Sequence, residues 1–191
     1  MHYKKIVLSG ISDVNLEEAQ NNTNLLLDAS NLTGADLLTV LDNLNDLHFK
    51  RLKLIAQAEM FQSTELVDKC FQSRVHSFVI ILPDSWKNLK NSMEGIGNLY
   101  RQSLAHEFPF FLALKINANE ENLSELFEYA KLLLGVIPDL LILNLNMALT
   151  EDVREMLNRI IKHCETNDVW VKLERIENDF GINAFSWSDE E

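Results

Sequence analysis

The sequence predicts an α/β fold: alternating β/α units forming an incomplete, open TIM-like barrel of about six to seven parallel strands. Three observations carry this. Seven short apolar runs alternate with longer segments of helical period, and the runs begin about every 27 residues, the spacing of a repeated strand–helix unit. Several runs are nearly continuous in Val, Ile, Leu and Phe, the pattern of a parallel strand buried on both faces. The chain has 191 residues, whereas a full eight-unit barrel takes about 250.

The strand runs, in order, are "KKIVLSG", "NLLLDAS", "RLKLIAQ", "HSFVIILP", "FPFFLALKIN", "PDLLILNLN" and "DVWVKLE". A doubly wound sheet is the alternative. It calls for a glycine-rich phosphate loop after the first strand, and "LSGISD" offers a single glycine. Residues after that loop read as a first helix. "TGADLLTVLDNLNDLHF" opens with Thr33 three residues before Asp36, a capping-box pattern, and sets Leu37, Leu38, Leu41, Leu44 and Leu47 on one face. "STELVDKCFQS" starts at Ser63 as N-cap. "SWKNLKNSMEGIGNLYRQSLAHEF" is expected to break at Gly95 and Gly97. "NEENLSELFEYAKLLLG" is expected to start at Asn119 and stop at Gly135, and "TEDVREMLNRIIKHCE" to start at Thr150. No Pro/Gly/Ser-rich linker divides the chain. Residues 1–176 read as one domain, and 177–191 as an acidic tail whose Phe180, Phe185 and Trp187 cover the open sheet edge or insert into a partner.

Composition narrows function. The chain is 47% hydrophobic and 24% charged, in the globular range. Its net charge of -12, from 29 acidic and 17 basic side chains, repels phosphate backbones and anionic membrane surfaces. Nucleic acid and membrane are therefore not expected as partners. Cys70 and Cys164 stand alone, far from any C-x-x-C pattern, as buried reduced thiols of a cytoplasmic protein. None of His2, His48, His76, His106 and His163 forms a metal-binding spacing with another, and no G-x-S-x-G elbow is present. No metal and no cofactor is expected.

Residues 24–147 resemble the middle of the radical S-adenosylmethionine (SAM) family. The likeness rests on "LLLDASNLTGADLLTVLDNLNDLHFKRLKLIAQAEMF", "STELVDKCFQSRVHSFVIILPDS" and "FPFFLALKINANEENLSELFEYAKLLLGVIPDLLILNLN" in that order. The family holds a [4Fe–4S] cluster with C-x-x-x-C-x-x-C in the loop after strand one. Here that loop reads "SGISDVNLEEA", and oxygen ligands do not replace three thiolates. The family's Gly-Gly-Glu stretch after strand two is replaced by Asp28-Ala29-Ser30. The resemblance therefore implies the barrel without its radical chemistry.

Polar residues at strand ends remain. Lys115 and Asn117 end the fifth strand, where the family places residues that reach SAM. Asn144 and Asn146 end the sixth, and Ser9, Asp28, Ser30, Gln57, Glu59 and Asp84 line the same rim. In a barrel-like sheet these ends converge on one mouth, the usual ligand face. The plainer reading is that they cap helices or meet water. A shorter resemblance joins "IVLSGISDV" and "LLLDASNLTGADLLTVLDNL" to STAS domains, which implies Thr33 or Ser30 as a phosphorylated hydroxyl. The expected role is a non-catalytic binding or scaffold partner of a biosynthetic or peptide-modifying enzyme, with a protein partner (homo- or hetero-oligomeric) and a small molecule or peptide as ligands. An enzyme of other chemistry at the mouth and a STAS-like phospho-regulated protein are the alternatives.

Overall fold

The computed structural model describes residues 3–8, 24–44, 49–85 and 89–175. All seven predicted strands form: β1 (Lys4–Val7), β2 (Asn24–Asp28), β3 (Arg51–Gln57), β4 (Val75–Ile81), β5 (Phe111–Ala118), β6 (Leu140–Leu145) and β7 (Trp170–Arg175). They pair in parallel in chain order, β1-β2-β3-β4-β5-β6-β7. Among the described residues five helices connect them: α1 (Gly34–Leu44), α2 (Thr64–Gln72), α3 (Leu89–Ala105), α4 (Leu123–Leu134) and α5 (Glu151–Thr166). A 3₁₀ turn, Ala58–Gln62, precedes α2. The first predicted helix and the 177–191 tail lie outside the described residues.

Sequential order decides the winding. Crossovers of one hand between successive neighbours lay every helix on the same face, whereas a doubly wound sheet must reverse its order. Burial follows suit. One core cluster joins alternate strand residues, Leu25, Leu27, Leu52, Leu54, Phe78, Ile80, Leu114, Ile116, Leu141 and Leu143, to the buried faces of all five helices. A second, small cluster of Val79, Ala113, Leu140 and Ile142 contains no helical residue. Among the described residues the sheet thus has one helix-covered face and one helix-free face, as in an opened TIM-like barrel.

Caps set most helix starts as predicted. The Ser63 hydroxyl accepts from the Leu66 amide and the Thr150 hydroxyl from the Val153 amide. The Thr33 hydroxyl accepts from the Asp36 amide at 3.2 Å and donates to the Asp36 carboxylate at 2.8 Å. Two expectations fail. Helix α4 starts at Leu123, because Asn119 closes a turn of its own: its carboxamide oxygen accepts the amides of Glu121 and Asn122, and Asn122 is the N-cap. Helix α3 does not break at its glycines but runs unbroken across both. Gly95 is there for space. A Cβ on it would lie 2.9 Å from the Ala58 carbonyl oxygen and 3.2 Å from the Phe61 Cβ. One turn on, the Asn98 carboxamide donates to the Phe61 and Gln62 carbonyls at 2.9 and 3.1 Å. Together they seat the 3₁₀ turn on α3.

Four helices end in a shared device. Arg74, Glu107, Ile137 and Asp168, each a few residues before the next strand, have φ of 58, 50, 50 and 56°. None is glycine, the residue that suits a left-handed helix terminus, and Gly135 itself is right-handed with φ -64°. Ile137 is the most strained of the four, being β-branched, and it is 77% exposed. Ile137→Gly is therefore expected to stabilise the fold by about 1 kcal/mol, the usual cost of a left-handed side chain, and to raise the urea midpoint accordingly.

Candidate functional site

Alternation brings the rim residues together. Along β5, Leu114, Ile116 and Ala118 enter the main core, so Lys115 and Asn117 face the helix-free side. The same parity places Asp28, Gln57 and Asn144 there, since Leu27, Ala56 and Leu143 are the core residues beside them. Register aligns Asn117 with Asn144 and Asn144 with Glu174. The helix-free face therefore has an apolar middle, built on Ile55, Val79, Ala113 and Ile142, and a polar carboxyl-terminal end.

That polar end is organised into three groups. In the first, the Ser30 hydroxyl donates to the Asp28 carboxylate at 2.7 Å, Lys5 Nζ lies 3.1 Å from its other oxygen, and Gln57 Nε2 donates to the Ser30 carbonyl at 3.2 Å. Burial pushes the Asp28 carboxyl up, but hydrogen bonds from Ser30 and Lys5 outweigh it and hold the group below its ordinary value. In the second group, the Asn144 carboxamide donates to Asn117 Oδ1 at 2.9 Å, and Asn117 donates to the Asp84 carboxylate at 3.1 Å. Asn122 Nδ2 clamps the pair, donating to the Asp84 carbonyl at 3.2 Å and the Asn117 carbonyl at 2.8 Å. The Tyr129 hydroxyl donates to the Pro83 carbonyl at 2.9 Å. Burial pushes the Tyr129 phenol up, with the negative charges of Asp84 and Glu59 adding to the effect. In the third group, Lys115 Nζ meets Glu174 Oε2 at 2.7 Å and Lys172 meets Oε1 at 3.0 Å. Burial raises the Glu174 carboxyl, and the two lysines more than reverse this.

Of the predicted rim residues, Asp28, Ser30 and Gln57 thus form one set and Asp84, Asn117 and Asn144 another. Lys115 joins a pair with a residue the sequence reading did not single out. Glu59 sits in the 3₁₀ turn. Asn146 is exposed, its amide donating to the Ala118 carbonyl. Ser9 lies outside the described residues. Lys5, Asn122, Tyr129, Lys172 and Glu174 were missed. Glu174 shares the parity of Asn144 across a register that only pairing reveals.

The arrangement offers hydrogen-bond donors and acceptors together with ion pairs. Asp28 and Glu174 are held ionised by close donors, so neither is tuned toward a general base near neutral pH. The described histidines lie elsewhere. His106 Nε2 is 2.7 Å from Asp68 Oδ1 on α2, and His76 Nδ1 accepts the Leu52 amide at 3.0 Å near the amino end of the sheet, where β3 and β4 shift register. Among the described residues no group of three or more His, Cys, Asp or Glu could hold a metal ion. Cys70 and Cys164 are both in the main core. Burial raises the Cys70 thiol strongly, and burial with the Glu165 charge pushes Cys164 up to about 11. The hydroxyls of Ser30 and Thr33 are both engaged in local hydrogen bonds, with Asp28 and Asp36. No described helix is long and apolar enough to cross a membrane. No protein-family model matches the chain, and no curated protein matches it.

Proposed function

We propose that the chain is a non-catalytic, radical-SAM-like protein that serves as a binding or scaffold partner of a biosynthetic or peptide-modifying enzyme. One observation carries this reading: the polar groups at the sheet's carboxyl end are joined to each other rather than left poised for chemistry. The Asp84–Asn117–Asn144 chain and the Lys115–Glu174–Lys172 group hold their donors and acceptors in fixed positions. A preorganised amide and ion-pair surface over an apolar floor suits recognition of a peptide or small polar molecule. The loop that would carry cluster cysteines contains none, and the two thiols present are buried protonated groups on α2 and α5. Both points support a protein that works without an iron–sulfur centre.

Anaerobic reconstitution with iron and sulfide, followed by desalting and metal analysis, tests the first half. No retained iron is expected, and a stoichiometric cluster would reject the reading. Affinity capture from the native host tests the second half, with Asn117→Ala/Asn144→Ala as the control. An enzyme held by the natural chain and lost from the variant is expected. Identical capture by both proteins would remove the mouth from the binding surface.

A further inference from the structure

The acidic segment 177–191 has no role yet, although it follows β7 closely and β7 ends at the mouth, at Arg175. We propose that this segment docks across the helix-free face of the sheet and acts as an internal cover of the mouth. The covering role rests on the reading of the mouth as a binding surface, whereas the docking does not.

Register sets the chemistry of the face. Side chains of one parity line up in rows across neighbouring strands. One row reads Lys5, Leu26, Lys53 on β1, β2 and β3. Another reads Ile81, Lys115, Ile142, Lys172 on β4 to β7. Aliphatic and basic side chains thus alternate. Among the charged residues that this parity places on the described strands, Lys5, Arg51, Lys53, Lys115 and Lys172 are basic, against Asp28 and Glu174. Both acids are already paired with lysines of the same face. The face therefore carries an excess of positive charge in a chain whose net charge is -12, and it attracts acidic segments.

Part of the face is apolar and packs on no core. Val7 is 53% exposed, Leu26 and Ile81 are half-buried, and all three belong to neither core cluster. Cover over such a strip removes apolar surface from water. The segment "ENDFGINAFSWSDEE" supplies what this face lacks. It holds Glu177, Asp179, Asp189, Glu190 and Glu191 and no Lys or Arg, and it sets Phe180, Ile182, Phe185 and Trp187 between its two acidic ends. Acid, aromatic, acid is the complement of a surface that alternates cation and aliphatic. The reach is sufficient. Trp187 lies 12 residues beyond Arg175, about 40 Å of extended chain. From β7 to β2 is five strand spacings, about 24 Å.

A nitroxide on Ser188→Cys tests the docking in the ¹⁵N-labelled full chain. Cys70 and Cys164 are buried and stay unlabelled. The Leu26, Lys53 and Ile81 amide signals should be lost and should return when the label is reduced. Those of Leu104 and Leu132, exposed on the helices, should not change. Phe185→Ser/Trp187→Ser and Asp189→Asn/Glu190→Gln/Glu191→Gln should each restore the signals. Unchanged signals on the face, equal loss on face and helices, or loss that survives both variants would overturn the proposal. So would loss in a mixture of ¹⁵N chains without nitroxide and unenriched chains with it, because the segment would then dock on a second copy. The cover is read separately, by the affinity of the chain for the enzyme it captures from the host. A cover closed about nine-tenths of the time predicts about tenfold tighter binding by Phe185→Ser/Trp187→Ser, and equal affinity would overturn the covering role. If neither chain captures an enzyme, the reading of the mouth fails, while the nitroxide experiment still decides the docking.

Discussion

Phe78→Ala should lower stability by about 3–5 kcal/mol, the cost of emptying a fully buried aromatic site. Phe78 is completely inaccessible, and its ring is the hub of an aromatic group drawn from four elements. It meets Phe61 of the 3₁₀ turn edge-on at 5.8 Å, Phe110 edge-on at 5.5 Å, and Phe71 of α2 at 5.8 Å. Phe110 in turn lies 5.2 Å from Tyr100 of α3. Edge-to-face pairs contribute beyond the area they bury, and no single neighbour can collapse into the space without disturbing the others. For a chain of this size the loss corresponds to a fall in Tm of about 6–20 °C. Urea unfolding with the slope unchanged checks it. A loss under about 1 kcal/mol would mean that these rings do not share one core.

Two glycines in one helix should respond with opposite signs. Gly95→Ala should destabilise by about 1–3 kcal/mol, because the new Cβ would press on the Ala58 carbonyl, a backbone atom that cannot rotate away. Gly97→Ala should stabilise by up to about 1 kcal/mol, since nothing lies within 4 Å of a Cβ built there and alanine is the better helix former. Matched urea titrations of the two variants decide it. If both stabilise, α3 does not pack on the 3₁₀ turn as described. If both destabilise, Gly97 has a neighbour that the fold as described does not contain.

These glycines also show where sequence reading stops. Read locally, "MEGIGN" signals a weak helix, and the break expected there follows from propensity alone. Tertiary packing overrides it: Gly95 is required for close approach, Asn98 ties the same face to the 3₁₀ turn, and helical hydrogen bonds continue through both glycines. The start of α4 was misplaced for a related reason. Asn119 is a good N-cap type, but its carboxamide closes the turn before the helix, and that choice depends on where β5 ends.

The mouth was legible in part. Asp28, Asn117 and Asn144 could be placed at strand ends because apolar runs stop there. That Asn144 donates to Asn117, and that Lys115 pairs with Glu174 across β6, could not be read from the chain. Those contacts depend on register, and a slip of one residue turns every side chain to the other face.

By itself the sequence determined the alternation of seven strands with helices, the caps at Ser63 and Thr150, and the absence of clustered thiols, because these follow from periodicity and residue type within short windows. The open, in-order parallel sheet also followed from that alternation, whereas the tertiary structure alone decided the register between strands, which side chains meet at the carboxyl end, and why Gly95 must be small. Such features depend on atoms distant in the chain being brought within a few ångströms, and no local pattern encodes that separation.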